Sequence, residues 1–545
     1  RDGAGDAAGG AGGPTRAGTL EVLLAADPTP TTGWTPWDDV CAWACRNVVD
    51  HVLETLTVVL PDGTVEPWLA ESVAHDVSLT RWTVELRAGL AFTDGRPVTA
   101  PTVKEGFDLY LKSGDASRGH VRDARLVTVQ APDDTTLVFE LSEPNAGFPA
   151  TLAGPVGRVF SVEAARINPE SFAGAPVGTG PFVFDEWRPG RPVVLRANAD
   201  YWRADADGRP LPFTERIRFT EVPDETARLD RLRAGRAHVM QTRVPSTIAA
   251  ARSAGGVGVL TVVDHLDDNV GAIVFNTLRA PFDDVRVRRG LALAVDQSEL
   301  LVALGSDGGA ESRPATQWWS PESVWHSGAV AEAWPSNSPD AAAALLGEYT
   351  ADPERSDGRA VGALVRVRIQ CTDDPSLSAM VDELGRQLRA TGLVEVVPEV
   401  VSRTGLIQRV TGSVADSPSF AGDFTATCWR LGGESDPWVL LESGLGPVRT
   451  SPLNVSNLYN DDLAALVDLV QGTVTTAARK SAVTRIMLAF AAEVPAVYLG
   501  YAPSAIVALP SVVGVGEWTL PTGRTVSGQR LGVGRFEQVW VPVEQ

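Results

Sequence analysis

Two segments of this chain, met in a set order, constrain its fold more than anything else in it. The first is Gly178-Thr-Gly-Pro-Phe-Val-Phe-Asp-Glu-Trp187, where glycines around Thr179 suit a tight backbone path into a strand. The second is Asn276-Thr-Leu-Arg-Ala-Pro-Phe-Asp-Asp-Val-Arg-Val-Arg-Arg289, which follows the apolar run Val270–Phe275 and leads into a helix. Asp283 or Asp284 can cap that helix, and Val287, Leu291 and Val295 give it one buried face. Around them, strands alternate with helices. A strand at 216–222 precedes a helix from Asp224 to Ala234 that ends at Gly235. Strands near 364–371, 394–400 and 423–429 have helices between them. This alternation specifies α/β architecture.

A chain of 545 residues is too long for one core and predicts two or three domains. The first ordered strand is expected at Thr19–Leu24. A loop with Trp34 and Trp37 follows, then a helix through roughly Val40–Leu56. Trp82, Val84 and Leu86 alternate with polar residues, as do Leu137, Phe139 and Leu141, so both runs read as half-buried strands. Between them Thr99-Ala-Pro101 starts a helix whose Val103, Phe107, Tyr110 and Leu111 share a face. Asp296-Gln-Ser-Glu299 reads as an acidic variant of the capping box. Residues 302–360 are rich in Ala, Ser and Pro, and no structure is assigned to them.

The net charge of −21 argues against a nucleic-acid partner and is compatible with cationic ligands. No uncharged apolar run is long enough for a transmembrane helix. Residues 1–17 are Gly- and Ala-rich and read as a flexible tether left by a processed export precursor. Cys41 and Cys45 lie four apart, on one face if that segment is helical. Cys371 and Cys428 each end an alternating run, and their thiols can meet as a disulfide if those strands are neighbours. The six histidines are scattered, so no metal site is expected. No Walker loop, dinucleotide fingerprint or nucleophile elbow occurs, which lowers the expectation of an enzyme.

Taken together, the segments at 178–187 and 276–289 resemble the signatures of the family 5 extracellular solute-binding proteins, the oligopeptide- and nickel-type receptors of bacterial ABC importers. Pro67-Trp-Leu-Ala-Glu-Ser72, Trp82-Thr-Val-Glu-Leu-Arg87, Phe92-Thr-Asp-Gly95 and Arg196-Ala-Asn-Ala-Asp-Tyr-Trp202 continue the pattern. The family usually carries an acidic residue where Thr102 stands. The resemblance runs from about residue 18 to about residue 520. It implies a two-lobed periplasmic-binding-protein type II fold with an additional small β-rich lobe. Lobe I is then 18–275 plus 496–545, with the small β-rich part at about 41–160, and lobe II is 276–495. The chain crosses between lobes at Asn276 and returns near Tyr498, the expected hinge.

The resemblance also directs attention to Cys428-Trp-Arg-Leu-Gly-Gly-Glu-Ser-Asp-Pro-Trp438 as a ligand loop. In peptide-binding relatives an Asp in this loop pairs with the peptide's α-amino group. Aligned on Asp436-Pro437, that position here is Gly433, with Glu434 one place later. Trp37, Trp429, Arg430, Gly433, Glu434, Asp436 and Trp438 are therefore the expected ligand contacts, with Trp34, Trp318 and Trp319 as further candidates for the cleft wall. Indoles offer flat stacking area and one donor. The implied function is capture of oligopeptides, with a preference for Arg- or Lys-containing ones suggested by the acidic balance. Delivery to a membrane permease follows, by a monomer without cofactor, catalytic residue or nucleic-acid partner. The setting is the extracellular membrane face, as a lipoprotein, or the periplasm. Two alternatives keep the fold: an oligosaccharide receptor, and a transport-inactive scaffold that regulates a biosynthetic or envelope process.

Overall fold

The computed structural model describes residues 16–542 except 31–32, 39–40, 42, 113–123, 254–259, 306–312, 412–421, 434–435, 448–450 and 452. Most of the expected tether and the side chain of Glu434 therefore lie outside the described residues. Strand β1 (Ala17–Leu24) opens the chain. Short strands β2 (Thr57–Val59) and β3 (Val65–Pro67) pair with each other. Strands β4 (Ala70–His75), β5 (Arg81–Leu86), β6 (Leu126–Gln130) and β7 (Thr136–Leu141) make an antiparallel sheet in the order β4-β5-β7-β6, the small β-rich module. The remaining strands of the main sheet are β8 (Phe182–Glu186), β9 (Val193–Ala197), β10 (Thr214–Glu221), β11 (Val239–Thr242), β12 (Thr261–Phe275), β13 (Val365–Thr372), β14 (Val394–Val401), β15 (Ala426–Gly432) and β16 (Ala496–Ala508). Their order is β14-β13-β15-β12-β16-β11-β1-β10-β9-β8.

The two long central strands make the sheet serve two lobes. Thr261–Leu266 of β12 pairs with Pro503–Ala508 of β16, beside β11 and β1. Val270–Val274 pairs with Ala496–Tyr501, and Asn269–Phe275 pairs with β15. The register breaks between Leu266 and Val270, where the neighbours change. The two largest apolar cores are separate. One gathers Leu20, Trp34, Phe107, Phe139, Phe182, Phe219 and Phe536; the other gathers Phe275, Leu291, Trp319, Trp438, Leu441 and Tyr498.

Local chemistry explains several elements. Asp224 and Asp284 cap the helices Glu225–Arg233 and Val285–Leu293 by accepting from Ala227 N and Arg286 N. At Ala100–Lys112 the Thr99 amide donates to Thr102 Oγ1 at 2.9 Å, and the Thr102 amide to Thr99 Oγ1 at 3.5 Å. A hydroxyl thus closes the reciprocal box that an acidic residue closes elsewhere. Asp296 caps Gln297–Ala303, but the box expected with Glu299 does not form, because Glu299 is drawn to Arg386 at 2.6 Å. Residues 302–360 contain the helices Gly328–Ala333 and Pro339–Ala351 and bury Trp318, Trp319, Trp325 and Trp334.

Two disulfides form. Cys371 and Cys428 meet because β13 and β15 are parallel neighbours, with Ile369 opposite Ala426 and Gln370 opposite Thr427. Cys41 and Cys45 also form a disulfide, outside any shared helix: the helix is Trp43–Val49, shorter than the expected Val40–Leu56, and the bridge ties its first turn to the preceding loop. The Cys371–Cys428 bridge spans 57 residues. Replacing both cysteines with serine is expected to lower stability by about 2–4 kcal/mol by relaxing the unfolded chain. Denaturant titration with and without reductant checks this, and with reductant present, so that Cys41–Cys45 is open in both, the wild type should match the double variant.

Candidate functional site

The lobes enclose a cleft of about 740 Å³. Its first-lobe wall begins at the helix Trp43–Val49 and the turn that follows. Arg46 and Asp50, one helical turn apart, pair at 3.5 Å, and Arg158 reaches the same carboxylate at 3.4 Å. Burial pushes the Asp50 carboxyl up, but Arg46, Arg158 and Arg535 together outweigh it and hold the pKa below the usual aspartate value. Glu54 lies deeper and is buried. It accepts from Tyr201 Oη at 2.7 Å, Trp68 Nε1 at 2.8 Å and Trp202 Nε1 at 3.1 Å. Burial nonetheless raises its pKa above the ordinary glutamate value.

The last residues of the chain supply the adjoining wall. Trp518 donates from Nε1 to Glu537 at 2.6 Å, and Glu537 pairs with the buried Arg203 at 3.2 Å. Arg535 stacks over the Trp518 ring at 4.8 Å. The second lobe contributes Gly433, Asp436 and Val439, and the central strands contribute Asn269. Asp436 caps the helix Pro437–Leu445 through Trp438 N and pairs with Arg479, both at Oδ1. Its charge is thus partly neutralised within the second lobe, beside Gly433 at the cleft.

Contacts between the lobes surround this space. Ala146 N donates to Gln471 O at 2.8 Å, and Val324 N to Asp62 O at 2.7 Å. Arg125 pairs with Glu442 at 2.5 Å and lies over the Trp438 ring at 5.2 Å. Gly147 packs directly against the Asp436 carboxylate.

Of the residues expected at the site, Gly433 and Asp436 line the cleft. Trp37 does not: it packs on Phe160 and Phe172 in the first core. Trp438 is 1% exposed and Trp429 packs against the second core, so both tryptophans act from behind the wall. Trp34, Trp318 and Trp319 are buried core residues. Arg430 is exposed on β15 and is not among the residues that line the cleft. Asn276 lies past the end of β12. Its Nδ2 donates to Phe424 O, and its Oδ1 accepts from Leu278 N and Asn457 Nδ2. It therefore braces a turn inside the second lobe, away from the change of strand neighbours. Tyr498 is buried against Trp334 in the same core. Sequence reasoning missed Arg46, Arg158, Trp68, Trp518, Arg535 and Asn269. Only the i, i+4 pairing of Arg46 with Asp50 left a sequence signal.

A two-lobed fold with an enclosed cleft, joined by two long antiparallel strands, agrees with the comparisons. The model for the bacterial extracellular solute-binding proteins, family 5 Middle, matches residues 64–449. The chain belongs to this family. Di/tripeptide-binding protein 2 of Pseudomonas aeruginosa (strain UCBPP-PA14) is 30% identical over 315 residues, 54% of this chain and 56% of the relative. The chain spans about half the length of the curated relatives it matches. Solved structures match almost throughout. The ABC transporter substrate-binding protein CtaP of Listeria monocytogenes superposes with a TM-score of 0.77 at 19% identity, covering 97% of this chain and 100% of CtaP. The oligopeptide-binding protein AppA of Bacillus subtilis, in complex with a nonapeptide, gives 0.67 at 19% identity, covering 97% and 99%. At such identities these structures establish the fold, the periplasmic-binding-protein type II arrangement. Family membership makes this chain one of the bacterial extracellular solute-binding proteins. No described helix is long and apolar enough to cross a membrane.

The first-lobe wall also sets a pH response. His51 is 1% exposed. The amide of Phe536 can only donate, so His51 Nε2 accepts from it at 3.2 Å and Nδ1–H donates to Asn47 O at 2.9 Å. Burial pushes the pKa of this neutral ring down to about 4 from 6.5. The unfolded chain therefore takes up the proton first, and stability falls as pH drops from 6.5 towards 4. The loss is on the order of 3 kcal/mol. The raised pKa of Glu54 works in the opposite direction, adding stability as pH falls. The diagnostic is thus the difference between wild type and His51→Gln in urea melts at pH 7 and pH 4.5. The variant should lose the acid-sensitive part.

Proposed function

We propose that this protein is the extracellular receptor of an ABC importer that captures oligopeptides by closure of two lobes and delivers them to a membrane permease. The observation that carries the reading is the cleft itself, walled by both lobes and ringed by contacts that exist only when they meet. A ligand touching both walls binds the closed form better and shifts the population towards it. The volume is within the range of specific ligand sites. The lobes divide at about 18–266 plus 503–545 and about 270–501, a few residues from the expected bounds at 275/276 and 495/496, because the change of lobe falls at the register break between Leu266 and Val270 and its partner near Tyr501–Pro503. We place the hinge there, since a broken ladder bends more readily than a paired one, and not at Asn276 or Tyr498. A monomer anchored as a lipoprotein at the outer face of the membrane fits the same role.

The guest suggested by the cleft differs from the one suggested by the whole-chain charge. Among the described residues, five arginines line the space (Arg46, Arg158, Arg243, Arg530 and Arg535) against three acids, Asp50, Glu54 and Asp436. Each acid is already held by partners in the protein. Arg- and Lys-rich peptides therefore gain nothing here, and neutral or acidic ones are the expected guests. Native mass spectrometry of freshly purified protein, followed by calorimetry with neutral, acidic and basic peptides, tests this. A co-purifying peptide supports it. Silence towards every peptide, with a sugar retained instead, overturns it.

A further inference from the structure

Two cleft groups have hydrogen-bonding capacity that the described protein does not use. The first is the Arg535 guanidinium. It lines the cleft, is half-buried, and makes no hydrogen bond or ion pair among the described residues. The acids within its electrostatic reach are committed elsewhere: Asp50 to Arg46 and Arg158, Glu537 to Arg203 and the Trp518 indole. Stacking on Trp518 restrains the guanidinium plane, so its fork of donors is oriented before any guest arrives.

The second is Asn269. Its Oδ1 is buried, lines the cleft and has no donor. A buried acceptor without a partner destabilises the site, and a guest that supplies an N–H recovers that loss. Asn269 is opposite Gly432 in the β12–β15 ladder, one residue from Gly433. Gly432 has φ +83° and packs against the carbonyl oxygens of Asp268 and Trp318, while Gly433 beside it lines the cleft together with Asn269.

One fixed cation with free donors and one buried acceptor, in a cleft where arginines outnumber acids among the described residues, call for a guest with a carboxylate and an amide N–H. Resting on the peptide-receptor reading above, we infer that Arg535 receives a peptide's free terminal carboxylate while Asn269 Oδ1 accepts a main-chain N–H from the same guest. Arg535 and Asn269 are then specificity residues on the first lobe and on the strand that crosses between lobes, and anchoring at the acid end replaces the amine anchor that Gly433 cannot supply. A charge-assisted, forked contact distinguishes a carboxylate from a neutral amide.

The test uses a random-sequence tetrapeptide library with free carboxyl ends and the same library C-terminally amidated, each offered to the full protein and read by native mass spectrometry. Wild type should retain the free acids about 10- to 100-fold better. Arg535→Gln should fall to the amide level for both libraries. Arg535→Lys should keep a weaker preference for the acid, and Asn269→Leu should weaken both libraries alike. If wild type holds acid and amide libraries equally, or folded Arg535→Gln still prefers the acid, the assignment of Arg535 is wrong while the peptide reading stands. If wild type retains neither library, the peptide reading fails and takes this assignment with it. Should Arg535→Gln not fold, the wild-type comparison and Arg535→Lys decide.

Discussion

Replacing Gly147 by valine should block capture while leaving the fold intact. Gly147 belongs to the first lobe, and a Cβ at that position would overlap the carboxylate of Asp436 in the second. That carboxylate cannot step aside, because it caps the helix Pro437–Leu445 and pairs with Arg479. The backbone of Gly147 has φ −87° and ψ 2°, open to any residue, so the open form is not strained. The added methyls act only on closure, as a wedge between the lobes. Overpacking of this kind costs about 1–3 kcal/mol, so affinity should fall about 10- to 100-fold. Calorimetry gives the affinity, small-angle scattering the failure to contract with ligand, and a thermal melt the unchanged stability. A variant that contracts and binds like wild type would show that the lobes need not meet at this point.

The largest effect on stability is expected at Glu537. Its carboxylate and the Arg203 guanidinium are both about 4% exposed, 3.2 Å apart. Arg203 also donates to Thr519 O and lies over the Trp68 ring at 4.6 Å, while Glu537 accepts from Trp518. Glu537→Ala leaves a buried guanidinium without its counterion, and removal of one partner of such a pair costs about 3–5 kcal/mol. Burial pushes the Glu537 carboxyl up, but Arg203, Arg535 and His51 outweigh it and hold it low, consistent with an ion pair kept ionised. The double variant Arg203→Met/Glu537→Leu should recover much of the loss, because no charge is then stranded. Urea denaturation of the three proteins measures this; equal losses in the single and double variants would mean that packing around Trp68, and not the charge, supplies the stability.

Much of the architecture was legible because it rests on local chemistry. Period-two alternation at Trp82, Val84 and Leu86 and at Leu137, Phe139 and Leu141 marked two strands of the small module. Asp224, Gly235 and Asp284 marked helix ends through capping and positive φ, with Gly235 at φ +67°. The alternating runs that end at Cys371 and Cys428 allowed a bridge on the condition that their strands are neighbours, and the parallel pairing of β13 with β15 meets that condition. Local reasoning failed where a long-range partner competed. Glu299 abandoned its capping box for Arg386, and Trp37 went to the core because Phe160 and Phe172 offered a larger apolar contact than a cleft wall could.

By itself, then, the order of residues determined the elements, the class of fold and the family, since helix caps, turns and hydrophobic periods depend on neighbours a few positions away. Only the tertiary structure decided where the lobes change and what the cleft offers a guest. Arg46, Arg158, Asn269, Gly433 and Arg535 come from segments separated by tens to hundreds of residues, and no local pattern shows that they face one cavity. The same holds for charge. A net of −21 describes the whole chain, but a bound solute meets only the few groups that the fold turns inward, and among the described ones the arginines outnumber the acids.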